Sequence, residues 1–214
     1  MSAAADPFTF FRESPQRFAG DLPPDDLFEK APSVWCCANL HLESFRQSED
    51  VGRRASIRID NGGATVLAPC SHGLARLLIS VLIWCYVAGF EHRPAMDAVD
   101  ATLSAYARTA SDPCYDAGSA AVPAPLRNVF HPHLSLPPGA LRATELELLT
   151  GQLGIVVGAA HAGGAGRDDA ASATELRAFL GGNLWRSEIR DFAMEYAPKV
   201  IRIWRRAGGA APRA

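Results

Sequence analysis

The sequence predicts a mainly helical single domain with at most one small β-hairpin. Three observations lead there. Apolar residues recur at steps of three and four through most of the chain. Only one segment, residues 56–67, alternates in the manner of strands. Proline falls between the periodic segments rather than within them, apart from Pro198. With 214 residues, 48% hydrophobic and 21% charged, the chain is long enough for one buried core.

The division expected from composition is an N-terminal arm (1–32), a helical body (33–206) and a flexible tail (207–214). Residues 1–32 interleave Phe8, Phe10, Phe11, Phe18 and Phe28 with Pro7, Pro15, Pro23, Pro24 and Pro32. This reads as an arm laid on the body with its rings as anchors. Ser14-Pro15 is positioned to start a short helix. Val34 to Gln47 is expected to form a helix that buries Leu40 and Phe45. In residues 56–67, Ile57 and Ile59 alternate with polar residues, Asn61-Gly62 is a turn dipeptide and Thr65-Val66-Leu67 is placed to return. A lone hairpin is not stable in water, so it would pack on helices.

Ser71 is expected to cap an apolar helix over 73–90. Arg76 interrupts that run, leaving it short of the ~20 apolar residues of a membrane span, so a buried helix is the better reading. Pro94 opens the next helix, with Met96, Val99, Leu103 and Tyr106 on one face. Residues 112–138 contain six prolines and read as an irregular connection. Thr144 and Glu147 suggest a capping box before Leu148, Leu149, Leu153, Val156 and Val157. Residues 158–169 form a glycine-rich joint. Ser172 or Thr174 with Glu175 starts the C-terminal helices, and Pro198 should end or kink the last one near Ala197.

Chemistry is sparse. A net charge of −2 argues against general nucleic-acid binding. Five scattered cysteines, one inside an apolar run, favour a reducing compartment, and the N-terminus lacks the pattern of an export signal. His131 and His133 lack further metal ligands nearby. Cys70-Ser71-His72 lacks an orienting third group, and adjacent residues rarely face each other. The glycines at 151, 154 and 158, and those at 163–166, stand in the wrong context for a phosphate loop. The 151, 154, 158 spacing would instead let another helix approach closely. No catalytic, metal or cofactor residues are expected, and no cofactor.

Charge is unevenly distributed. The first fifty residues carry nine acids against four bases, whereas Lys199 to the C-terminus carries five bases and no acid. An exposed Trp204 beside Arg202, Arg205 and Arg206 would be a typical interface anchor. These four, with Phe10, Phe11 and Phe18, are the candidate partner-binding residues.

The order of parts resembles the SctK-like accessory proteins of bacterial type III secretion, in particular their rhizobial nodulation members. The resemblance is carried by Phe8-Thr9-Phe10-Phe11, Pro15, Phe18 and Leu22-Pro23, by the Leu-rich run Leu74 to Gly89, and by the basic amphipathic end Leu184 to Arg206. It implies a non-enzymatic cytoplasmic adaptor of the sorting platform, at the inner face of the membrane. Its partners would be the SctQ–SctL pod and the cytoplasmic part of SctD, and its role would lie in effector delivery and nodulation host range. The alternatives are an immunity-type protein that binds a cognate toxin and a small hydrolase using Cys70 or His72.

Overall fold

The computed structural model describes residues 4–48, 55–60, 65–112, 121–131, 133–134, 136–137, 139–182 and 184–208. They form a mainly helical domain with two small antiparallel sheets. Three short helices come first: α1 (Pro7–Arg12), α2 (Pro15–Gly20) and α3 (Asp26–Glu29). Proline at the first position of α1 and α2 fits because its missing N–H has no helical partner there. Asp6 and Asp25 cap α1 and α3 by accepting from Thr9 N–H and Phe28 N–H. Phe8, Phe11, Phe18 and Phe28 are buried in the main core, and Phe10 is partly buried against it.

The segment expected as a helix over 34–47 is instead strand β1 (Ser33–Cys37), a 3-10 turn (Leu42–Ser44) and strand β2 (Phe45–Ser48). The β-branched and aromatic start of β1 favours extended backbone. Leu40 and Phe45 are buried as expected, but from a turn and a strand. The expected hairpin does not form either. Strand β3 (Ser56–Ile59) pairs with β2, Phe45 opposite Ile59 and Ser48 opposite Ser56. Strand β4 (Thr65–Pro69) pairs with β1, Ser33 opposite Pro69 and Cys37 opposite Thr65. Each strand of the supposed hairpin thus finds a partner upstream of it. The Asn61-Gly62 turn lies outside the described residues.

The long helices are α4 (Cys70–Ala88), α5 (His92–Ala110), α6 (Ala143–Gly164) and α8 (Leu184–Arg206), with α7 (Ala173–Gly181) shorter. Strands β5 (Phe130–His131) and β6 (His133–Leu134) extend the second sheet in the order β3-β2-β6-β5. The proline-rich connection therefore contributes two strands and a 3-10 turn (Ala124–Val129).

Helix α4 is the central element. Among the described residues it is the one helix long and apolar enough to cross a bilayer, and 78% of its most apolar stretch is buried inside the protein. It starts one residue before Ser71, whose hydroxyl donates to Leu27 O at 2.7 Å instead of capping the helix. Gly89, at φ +77°, ends α4 in the left-handed conformation that glycine adopts most readily.

Helices α5 and α6 pack closely because of glycine. A Cβ on Gly154 would lie 2.3 Å from Thr102 O, and one on Gly158 would lie 2.8 Å from Tyr106 O. Gly151 is not under that constraint, since a Cβ there would reach only Ala101 Cβ at 4.0 Å. The box at the start of α6 uses Arg142 and Glu145, not Thr144 and Glu147. At α7 Ser172 and Glu175 cap each other as expected.

Helix α8 runs through Pro198 to Arg206 without ending at Ala197. The lost N–H of Pro198 is outweighed by burial beyond it, at Val200, Ile201 and Trp204. The acidic head and basic tail are not opposite ends of the molecule. Asp21 accepts from Tyr196 Oη at 2.9 Å and pairs with Lys199 at 3.1 Å. Phe18 meets Tyr196 edge-on, Phe28 packs on Phe192, and Trp204 Nε1 donates to Ala4 O. The two unlike segments complement each other within one chain.

Candidate functional site

Two polar assemblies interrupt the apolar interior. The first surrounds Arg76, which α4 carries into the core at 1% exposure. Its Nε donates to Asn39 Oδ1 at 2.8 Å, and one terminal nitrogen donates to the same oxygen and to Phe11 O at 3.0 Å. The guanidinium lies 4.3 Å from the Phe11 ring centre and 5.3 Å from that of Phe18. Burial pulls its pKa down to about 10, which still leaves it charged at neutral pH. The other terminal nitrogen, NH1, is buried without a hydrogen bond.

The turn after Asn39 completes this assembly. His41 Nδ1 accepts from Glu43 N–H, and Ser44 Oγ accepts from His41 N–H. Leu42 N–H donates to Ser80 Oγ of α4 at 2.9 Å. Glu43 pairs with Arg12 at 2.6 Å. Burial, followed by the charges of Arg76 and Arg12, depresses the His41 pKa to about 4, so the ring is neutral and suited to accepting. The network ties α1, the turn and α4 together. Sequence reasoning missed Asn39, His41, Ser44 and Ser80. The available signal was Asn-Leu-His-Leu-Glu-Ser, polar and apolar in alternation, together with one arginine inside an apolar helix.

The second assembly lies between α5 and α6. Tyr106 Oη is 3.0 Å from His161 Nδ1. Burial lowers the His161 pKa to about 4 and pushes Cys70 up to about 12. The Cys70-Ser71-His72 run is therefore poorly suited to nucleophilic chemistry: a thiolate is strongly disfavoured, Ser71 is engaged with Leu27, and His72 Nε2 lies 2.8 Å from Phe28 O. Beside His161 opens a cavity of about 540 Å³, bounded by β1, the end of α6 and the loop after it.

The structure divides the candidate partner-binding residues. Phe11, Phe18 and Trp204 are 2%, 5% and 1% exposed, so the expectation of an exposed Trp204 anchor is overturned. Trp204 is buried because α8 continues past Pro198 and lays its apolar face on the core. Arg202, Arg205 and Arg206 are exposed, and Arg205 contacts the Tyr86 hydroxyl. Phe10 stands at the margin. His131 and His133 lie in β5 and β6, and among the described residues no group of three His, Cys, Asp or Glu is arranged to hold a metal. Cys114 lies outside the described residues.

What emerges is a mainly helical domain with two small sheets, whose N-terminal half is organised around a buried arginine and a polar turn. Residues 2–114 match the family model described as "Uncharacterized protein conserved in bacteria (DUF2252)", and the chain belongs to that family. The matched part runs from α1 through α5 and includes the whole Arg76 assembly. No curated protein and no solved structure matches the chain.

Proposed function

We infer that this protein is a non-enzymatic adaptor that recognises an extended segment of a partner protein by strand addition to β4. The observation that carries this reading is the state of β4. Its one strand neighbour among the described residues is β1, and Val66 and Leu67 are 36% and 38% exposed on it. An open edge offers outward N–H and C=O groups that a partner strand satisfies, and Val66 and Leu67 put one exposed aliphatic side chain on each face of the ribbon. The far side of β1 is occupied, since Ala171 N–H donates to Ser33 O and Trp35 Nε1 donates to Arg167 O. Exposed Arg202, Arg205 and Arg206 form a separate basic surface for an acidic partner.

The setting proposed is the cytoplasmic sorting platform of a type III secretion system, with the SctQ–SctL pod and the cytoplasmic part of SctD as partners. That setting rests on the resemblance in the order of parts. The hydrolase alternative has little support, given the buried Cys70 thiol and the engaged His72.

Purified SctQ–SctL and the SctD cytoplasmic part from the same genome, immobilised for biosensor binding, test both statements. Binding that falls at least about tenfold in Leu67→Pro and Leu67→Lys supports strand addition, because the Leu67 N–H points away from β1, so proline there removes an edge donor without breaking the β1–β4 ladder, and lysine disfavours edge pairing. Failure of both partners to bind overturns the secretion setting. Binding that survives both substitutions overturns the β4 docking mode.

A further inference from the structure

The cavity beside His161 is lined by one buried histidine and by two exposed residues of opposite charge, Arg167 and Asp168. It is walled by Trp35, Leu40 and Ile59 and by the last turn of α6. The volume of about 540 Å³ is in the range of small-molecule sites.

At its inner end is His161, 2% exposed. Its Nδ1 is engaged by Tyr106, and among the described residues its Nε2 has no hydrogen-bond partner. With Tyr106 O–H donating to Nδ1, the remaining ring proton sits on Nε2. At the outer end are Arg167 and Asp168, both exposed, neither in an ion pair among the described residues. Asp168 holds φ +42° and Asp169 φ +65°, backbone conformations uncommon outside glycine.

A neutral donor at the buried end, apolar and aromatic walls, and unpaired charges of opposite sign at the mouth together describe a ligand of matching polarity. We propose that this cavity binds a free aromatic amino acid as its zwitterion. The carboxylate pairs with Arg167 and the ammonium with Asp168. The ring lies against Trp35, and a ring hydroxyl accepts from His161 Nε2. The opposite charges at the mouth nearly cancel, so a polyanion such as a nucleotide gains little there. The adaptor reading does not depend on this site.

Calorimetry with L-tyrosine, L-phenylalanine, tyramine and 4-hydroxyphenylpropionate tests it on the full chain. Saturable binding of L-tyrosine is expected, with tyramine and 4-hydroxyphenylpropionate each about tenfold weaker because each lacks one charge. Arg167→Gln should abolish the preference for tyrosine over tyramine, and Asp168→Asn the preference over 4-hydroxyphenylpropionate. His161→Gln should bring tyrosine and phenylalanine to similar affinity. If His161→Gln fails to fold, by circular dichroism, the two exposed variants carry the test. No saturable binding at millimolar L-tyrosine, or equal binding of all four compounds, overturns the proposal. So does tyrosine binding unchanged in folded Arg167→Gln and Asp168→Asn.

Discussion

Two neutral histidines are the most consequential titratable groups in the interior. His41 and His161 both have pKa values depressed from 6.5 to about 4, chiefly by burial. The unfolded chain therefore binds protons between those values that the folded chain refuses. Their contribution to stability is full above pH 6.5 and is lost as pH falls toward 4, on the order of 3 kcal/mol for each group. Urea unfolding at pH 7.5, 5.5 and 4.5 should show the midpoint falling steadily. A midpoint that is flat between pH 7.5 and 4.5 would contradict the burial of both rings. Arg76 poses a different problem. Its charge is offset by carbonyls and ring faces rather than by a carboxylate, so it serves as a hydrogen-bonding strut for the end of α1.

Among the elements, the α5–α6 pair shows how two glycines set a distance. The backbone of α6 touches that of α5 at Gly154 and Gly158. Gly154→Ala relieves chain entropy in a helix but forces the two backbones apart. The clash should win, because the obstacle is Thr102 O, a backbone atom that cannot swing away. A loss of about 2–3 kcal/mol is expected by thermal or chemical unfolding. Gly151→Ala, with an ordinary 4.0 Å contact, should be neutral or stabilising. Equal effects at 151 and 154 would refute the close approach. The same spacing in the sequence had suggested a helix contact, and two of its three glycines serve it. The paired strands were less legible. Residues 56–67 carried a local hairpin signal, but β3 and β4 go to different sheets because β2 and β1 supply upstream partners.

In the whole molecule, the N-terminal segment and α8 close around α4. The rings of Phe8, Phe11, Phe18 and Phe28 belong to the same core as α4 and α8. Trp204→Ala should therefore cost about 3–5 kcal/mol and unfold a marginal domain. The triple change of Arg202, Arg205 and Arg206 to alanine should shift stability by less than about 1 kcal/mol, since all three are exposed. Thermal melts of the two variants separate a core role from a surface role directly. A Trp204→Ala protein as stable as the parent would restore Trp204 to the surface.

The sequence by itself determined the helical class, the buried character of the run after Cys70, the glycine face of α6 and the Ser172–Glu175 cap. These depend on neighbours within a few turns, where periodicity and capping chemistry are complete in the local sequence. Tertiary structure decided the rest. It turned 34–47 into strands and a turn, carried α8 past Pro198, buried Trp204, paired the acidic head with the basic tail, and assembled Asn39, His41 and Arg76. Each depends on residues far apart in the chain, Trp204 on Ala4 and Arg76 on Phe11. The free energy of burying such pairs exceeds local preferences by several-fold, so the local pattern gave no measure of it.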